Sequence, residues 1–145
     1  MITEPTYRHL TLEESHALLT SNNLGRLAFT LHDRVDIQPI NYVCEGDWIF
    51  GRTSEGSKLA TLRHHPWCAF EVDEVRGLFD WSSVVVKGSF SILDPKLGSL
   101  HTYQRATSLL WNLVPGTFSA GDPAPQRNVV FGIFAHEVSG RSAHA

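Results

Sequence analysis

The chain has 145 residues, 42% of them hydrophobic and 19% charged, the make-up of one soluble globular domain spanning 1–145 that buries about two-thirds of its unfolded surface without disulfide staples. A formal charge of −3 removes the broad basic footprint of a nucleic-acid binder, and no run approaches the ~18 apolar residues of a membrane span. The two cysteines, Cys44 and Cys68, each lie in an apolar stretch, and Met1-Ile2-Thr3-Glu4-Pro5 lacks a basic-then-apolar signal, so the expected setting is cytoplasmic with reduced thiols.

Thr11-Leu12-Glu13-Glu14 has the form of a capping box, because a threonine cap and a glutamate three residues on satisfy each other's free amides. The predicted helix runs to about Thr20, with Leu12, His16 and Leu19 on one face and Leu18 beside it. From Gly25 the apolar period becomes two. Gly25–Leu31, the turn His32-Asp33-Arg34 and Val35–Val43 read as a hairpin, and Glu45-Gly46-Asp47 leads into a third strand, Trp48–Thr53. Pro39 cannot donate to a ladder, which places it at a bulge or with its nitrogen facing away from a neighbour.

After the loop from Thr53 to Lys58, a two-turn helix covers Leu59–His65 and stops at Pro66. Trp67–Asp73 is a fourth strand, Glu74–Asp80 a loop, and the β-branched run Trp81–Leu93 a fifth strand. Asp94-Pro95 reads as a helix opening, with Leu97, Leu100, Tyr103 or Gln104, Thr107 and Trp111 near one face and an end at about Asn112. Val114–Arg127 is a long loop or lid, and Asn128–Val138 a last strand with a tail from Ser139. Strands joined by short turns, with few helices, predict an α+β fold: a mainly antiparallel six-stranded split β-barrel with three peripheral helices.

The strongest local candidate for chemistry is Thr53 to Lys58, where Thr53, Ser54, Ser57 and Lys58 precede a helix. Free amides at a helix start, hydroxyls and an ammonium together make a phosphate receptor; the same residues also suit a plain helix cap beside a solvated lysine. Arg52 and Arg63 add charge if they point inward. Trp81-Ser82-Ser83 offers an aromatic face and hydroxyls for the polar edge of a flat ring, or alternatively a core plug and a turn. No His-Glu-x-x-His, Cys-x-x-Cys or Gly-x-Ser-x-Gly pattern occurs, so neither a structural metal nor a serine hydrolase is expected.

In order, Gly25-Arg26-Leu27-Ala28, Gln38-Pro39-Ile40-Asn41-Tyr42, Thr53 with Gly56-Ser57-Lys58, Phe70-Glu71-Val72-Asp73, Trp81 to Gly88 and Val138-Ser139-Gly140-Arg141 resemble the pyridoxamine 5′-phosphate oxidase-like superfamily of flavin-binding proteins. The resemblance implies a split barrel that pairs into a homodimer, with flavin mononucleotide (FMN) in clefts at the interface. It implies that Thr53, Ser54, Ser57 and Lys58 hold the flavin phosphate. Pro39, Ile40, Asn41 and Tyr42 then line the isoalloxazine ring by backbone and side chain, and Trp81, Ser82, Ser83 and Val84 meet its other polar atoms. The implied activity is hydride or electron transfer to or from a small molecule. The C-terminal segment lacks the Arg-Leu, Glu-Phe-Trp and Arg-Leu-His signatures of true pyridoxamine phosphate oxidases, so vitamin B6 oxidation is not implied. Related branches use a deazaflavin or bind haem, for which His64, His65, His101 and His136 are candidates; a non-catalytic carrier is the alternative. No catalytic acid or base stands out.

Overall fold

The computed structural model describes residues 4–96 and 100–145. The elements in chain order are β1 (Thr6–His9), α1 (Leu12–Ser21), β2 (Leu24–Leu31), β3 (Arg34–Glu45), β4 (Trp48–Thr53), α2 (Ser57–His64), β5 (Trp67–Gly77), β6 (Asp80–Ile92), α3 (Leu100–Leu113) and β7 (Val129–His144). The strands form one antiparallel sheet in the order β1-β7-β4-β3-β2-β5-β6, and β6 pairs back onto β7. Six strands thus close a ring, as expected of the split barrel, and β1 is a short flanking strand on β7. All three predicted helices are present.

The barrel interior holds Leu27, Phe29, Tyr42, Ile49, Phe70, Val72, Val84 and Val86. Leu18 and Leu19 of α1 and Leu59 and Leu62 of α2 plug it. α3 lies outside, where Ala106 and Leu110 pack on Phe50 and Val130. The capping box forms as read: the Glu14 amide donates to Thr11 Oγ1 at 3.1 Å, and the Thr11 amide donates to the Glu14 carboxylate at 3.0 Å.

Several boundaries differ from the sequence reading. β5 and β6 continue through Glu74–Asp80 to a tight turn at Leu78-Phe79, and β7 continues through the supposed tail because Arg141–His144 pair with β1. Asp94-Pro95 forms a turn, with the Asp94 carboxylate accepting the Lys96 amide at 2.8 Å, and α3 is described from Leu100. Leu97 lies outside the described residues. Leu12 and Trp111, placed on packing faces by periodicity, are exposed; the faces that pack are Ser15-Leu18-Leu19 on α1 and Ala106-Leu110 on α3.

Candidate functional site

The site begins where two neighbouring strands part. β3 and β4 pair only from Tyr42↔Gly51 to Glu45↔Trp48. On the far side of Tyr42, β3 keeps β2 as a neighbour, through Asn41↔Leu24 to Arg34↔Leu31, and its other edge is open. The Tyr42 amide donates to the Asn23 carbonyl at 2.9 Å, toward β2. By strand alternation the nitrogens of Asn41, Pro39 and Ile37 therefore face the open edge. A proline costs no ladder bond there, and the Ile37 amide is met by the Asp36 carboxylate at 2.8 Å.

The facing lip is the end of β4 and the start of α2. Thr53 is 6% exposed, and among the described residues its hydroxyl has no hydrogen-bond partner. Since, among the described residues, no fully buried side-chain oxygen is left unpartnered, that hydroxyl keeps access to solvent at the end of β4. α2 starts at Ser57 behind Gly56, which has no side chain to cap it, so its first-turn amides are free for an anion. Lys58 is half-buried. Its pKa is lowered, first by burial and next by the Arg127 guanidinium, with Asp36 acting in the opposite direction. Two cations and an uncapped helix start thus lie near the accessible, unengaged hydroxyl of a largely buried threonine, and this donor set fits a phosphate monoester.

Arg52, on the opposite side of β4 from Thr53, is not free for that role. Its guanidinium donates to both Asp122 carboxylate oxygens, at 2.6 and 2.8 Å, and the side chains are 9% and 3% exposed. The Asp122 carboxyl is held well below the ordinary aspartate range, chiefly by Arg52; burial opposes this, and the Ala124 and Phe118 amides reinforce it. The 114–127 segment is accordingly an ordered strap. Its turns are closed by bonds such as Ser119 amide to Gly116 carbonyl (3.0 Å) and Arg127 amide to Ala124 carbonyl (3.0 Å). Between strap, α3 and β3 lies a cleft of about 210 Å³ bordered by Asn41, Arg52, Leu110, Val114, Pro123 and Arg127. Arg63 pairs with Glu55 at 3.4 Å instead of turning inward.

The remaining residues singled out from the sequence divide in two. Ile40 lies under the open edge with its side chain buried, and Asn41 is exposed there. Tyr42, expected to line a ring with its side chain, is 0% exposed. Its hydroxyl donates to the Leu19 carbonyl at 2.6 Å and its ring stands edge-on to Phe70 at 5.0 Å, because the inward positions of β3 must fill the barrel.

Trp81, Ser82, Ser83 and Val84 open β6, separated from β3 by β5 and β2, about 14 Å away at ~4.8 Å per strand. Val84 is core. Ser83 donates to Glu71 at 2.7 Å, Arg26 reaches Glu71 and Asp73 at 3.4 and 3.3 Å, and Arg26 pairs across to Pro39. Burial, helped by Asp73, raises the Glu71 pKa against the pull of Ser83 and Arg26. One chain therefore brings Thr53–Lys58 together with the Pro39–Asn41 edge, leaves Trp81 and Ser83 on the same outer face three strands along, and turns Val84 into the core. Asp36 and Asp122 were missed from sequence, where nothing separates them from ordinary loop and strand acids. Among the described residues no three His, Cys, Asp or Glu side chains gather as a metal site.

A family model described as pyridoxamine 5′-phosphate oxidase matches residues 11–142. The chain belongs to the pyridoxamine 5′-phosphate oxidase family. It is 30% identical over 139 residues to an uncharacterized protein, RA0666, of Rhizobium meliloti strain 1021, an alignment covering 94% of this chain and 85% of the relative. Its fold is similar to that of the FAD-binding protein mll6688 of Mesorhizobium loti, with a TM-score of 0.78, 28% identity, and coverage of 98% of this chain and 100% of that one. A FAD binding protein from Mycobacterium smegmatis shares the fold at a TM-score of 0.67 and 24% identity, over 94% of this chain and 98% of the other. Flavin-binding proteins with this family's fold are thus among its structural relatives.

Proposed function

We propose that the chain is a flavin-dependent oxidoreductase acting on a small molecule, with FMN, or the FMN portion of a larger flavin, held at the β3–β4 split. The observation that carries this reading is the unengaged hydroxyl of the largely buried Thr53 close to an uncapped helix start and a desolvated Lys58. Thr53, Ser57, Lys58 and the first amides of α2 would bind the phosphate, with Ser54 at the rim and Arg127 adding charge. The open edge at Pro39, Ile40 and Asn41 would present backbone carbonyls and the Asn41 amide to the polar rim of the ring. When bound, the flavin supplies reversible hydride or electron transfer through its ring system; the protein's part is to orient it and shield one face.

Trp81, Ser82 and Ser83 lie too far along the sheet to join this cluster within one chain, so on this reading they serve a second copy's flavin across a homodimer interface, while Val84 stays in the core. The outer sheet face beside the split, toward the β2–β3 hairpin, suits pairing: Val35 and Ile37 of β3 are 77% and 61% exposed, and Trp67 of β5 66%, more apolar surface than a strand facing only water carries. The cytoplasmic setting expected from the sequence supplies reduced nicotinamide nucleotides as electron donors.

The test is the visible spectrum of purified protein, before and after adding FMN. The two-banded yellow spectrum of a protein-held oxidised flavin is expected, and Lys58→Glu, which puts a negative charge against the phosphate, should abolish it. A protein that retains no flavin and does not quench added FMN contradicts the proposal. Bleaching of the bound flavin by reduced nicotinamide nucleotides, followed by recovery with a quinone or nitroaromatic acceptor, distinguishes an enzyme from a carrier.

A further inference from the structure

Leu12, His16 and Leu19, the face of α1 that helix periodicity groups together, border a cavity of about 670 Å³ between α1 and the β3–β4 turn. Leu19, Ile49 and Val86 are its buried floor, whereas Leu12 at its rim is 71% exposed. The rim also carries the carboxylates of Glu13 and Asp47. We propose that this cavity binds a small molecule made of an apolar body and one protonated amine. The site is separate from the flavin cleft and does not depend on it: the six residues of β4 lead from this turn to Thr53, about 20 Å at ~3.3 Å per residue.

Shape comes first. The volume is that of a pocket for a whole small molecule, and an apolar floor of this kind gains by excluding water. The walls are held in place by the protein itself, because the His16 imidazole donates from Nε2 to the Gly46 carbonyl at 3.1 Å and ties α1 to the turn. Leu12 thereby acquires a reason for its place in the apolar period of α1: it extends the floor outward and has no packing partner in the barrel core.

Charge then selects the occupant. Neither lysine nor arginine lines the cavity, and among the described residues neither Glu13 nor Asp47 has a salt-bridge or side-chain hydrogen-bond partner, although the neighbouring Glu14 and Glu45 are taken up by Arg8 and Arg105. Two unengaged carboxylates above an apolar floor attract a cation and repel a fatty acid or a phosphate. Cys44, also on the wall, reports the same field: its thiol is pushed up to about 11, first by burial and next by Asp47 and Glu45, all of which disfavour an anion.

The experiment titrates isotope-labelled protein with three probes sharing one ring system, naphthylmethylamine, naphthylmethanol and naphthoate, and follows the backbone amide resonances. Shifts are expected at residues 12–19 and 44–49. The amine should bind about tenfold more tightly than the alcohol, the worth of one charge-assisted hydrogen bond, and naphthoate more weakly than either. Glu13→Gln combined with Asp47→Asn, at two exposed positions, should lower the amine to the affinity of the alcohol and leave the alcohol unchanged. Ala17→Trp, which fills the cavity from an exposed position on α1, should remove the binding of both. Unchanged amide resonances across β2, β5 and β6 certify that each variant is folded. Equal affinities for amine and alcohol, an amine preference that survives the double substitution, binding that survives Ala17→Trp, or shifts centred on residues 39–41 and 53–58 overturn the proposal. Shifts around the cavity that follow protein concentration and not the probe overturn it too, since they make a second copy of the chain the occupant.

Discussion

At Lys58, burial and the Arg127 guanidinium both oppose the charged ammonium, and only Asp36 favours it. An anion against the first turn of α2 removes that conflict, so its binding raises the Lys58 pKa and takes up a proton. Phosphate-dependent flavin affinity should then fall as pH rises through the lowered Lys58 value, below the ~10.4 of an ordinary lysine, as titrations at several alkaline pH values would record. Gly88 makes a different demand. A Cβ there would stand 2.2 Å from the Phe134 carbonyl oxygen, at the bulge where Lys87↔Glu137 is followed by Gly88↔Ala135. Gly88→Ala should cost about 1–3 kcal/mol in denaturant unfolding and leave flavin affinity alone, which assigns the Lys87-Gly88 part of the motif to strand packing. Burial raises the Cys44 and Cys68 thiols to about 11 and about 12. In the unfolded chain they ionise near ~8.5. Between these values the native state holds more protons than the unfolded one, so stability should decline as pH rises above about 8.5. Urea midpoints across that range test this, and a Cys44→Ala, Cys68→Ala variant should show a smaller decline.

Among the elements, the strap from residue 114 to 127 and the open edge of β3 set the access to the cleft. Asp122 ties the strap to β4 through Arg52 and also accepts the Phe118 and Ala124 amides. Asp122→Asn removes the charge from all of these bonds, so hydrogen exchange across residues 114–127 should quicken while the barrel strands remain protected. The strands that alternate in burial were legible in the sequence: β2 reads buried on every second residue, and the stretch to Val43 follows it. β1 was not legible, because all four of its residues are exposed and carry no apolar period. The last part of β7 was missed for a related reason: it is a polar stretch that β1 and β6 hold in the sheet by backbone pairing. In the site, hydroxyls and a lysine before a helix were legible. The turning of Tyr42 into the core was not, since it depends on which face of β3 meets the barrel, and neither were the Arg52–Asp122 pair, 70 residues apart, and the approach of Asp36 to Lys58.

For the whole molecule, the separation of the Trp81 group from the split and the exposed apolar strip at Val35, Ile37 and Trp67 argue for two copies arranged so that each completes the other's cleft. Light scattering should therefore return a dimer. Ile37→Asp is expected to shift it toward monomer and to weaken flavin binding in step, whereas a monomeric unmodified protein with full flavin affinity would remove the shared cleft. The proposed flavin site depends on the phosphate anchor at Thr53, Ser57 and Lys58, and the most direct measurement compares riboflavin, which has no phosphate, with FMN in unmodified protein and in Lys58→Ala. FMN should bind the unmodified protein far more tightly than riboflavin, and Lys58→Ala should lose about 10- to 100-fold of FMN affinity, the worth of one charge-assisted hydrogen bond, with riboflavin affinity unchanged. Equal binding of the two flavins, or an FMN advantage that Lys58→Ala leaves intact, would contradict it.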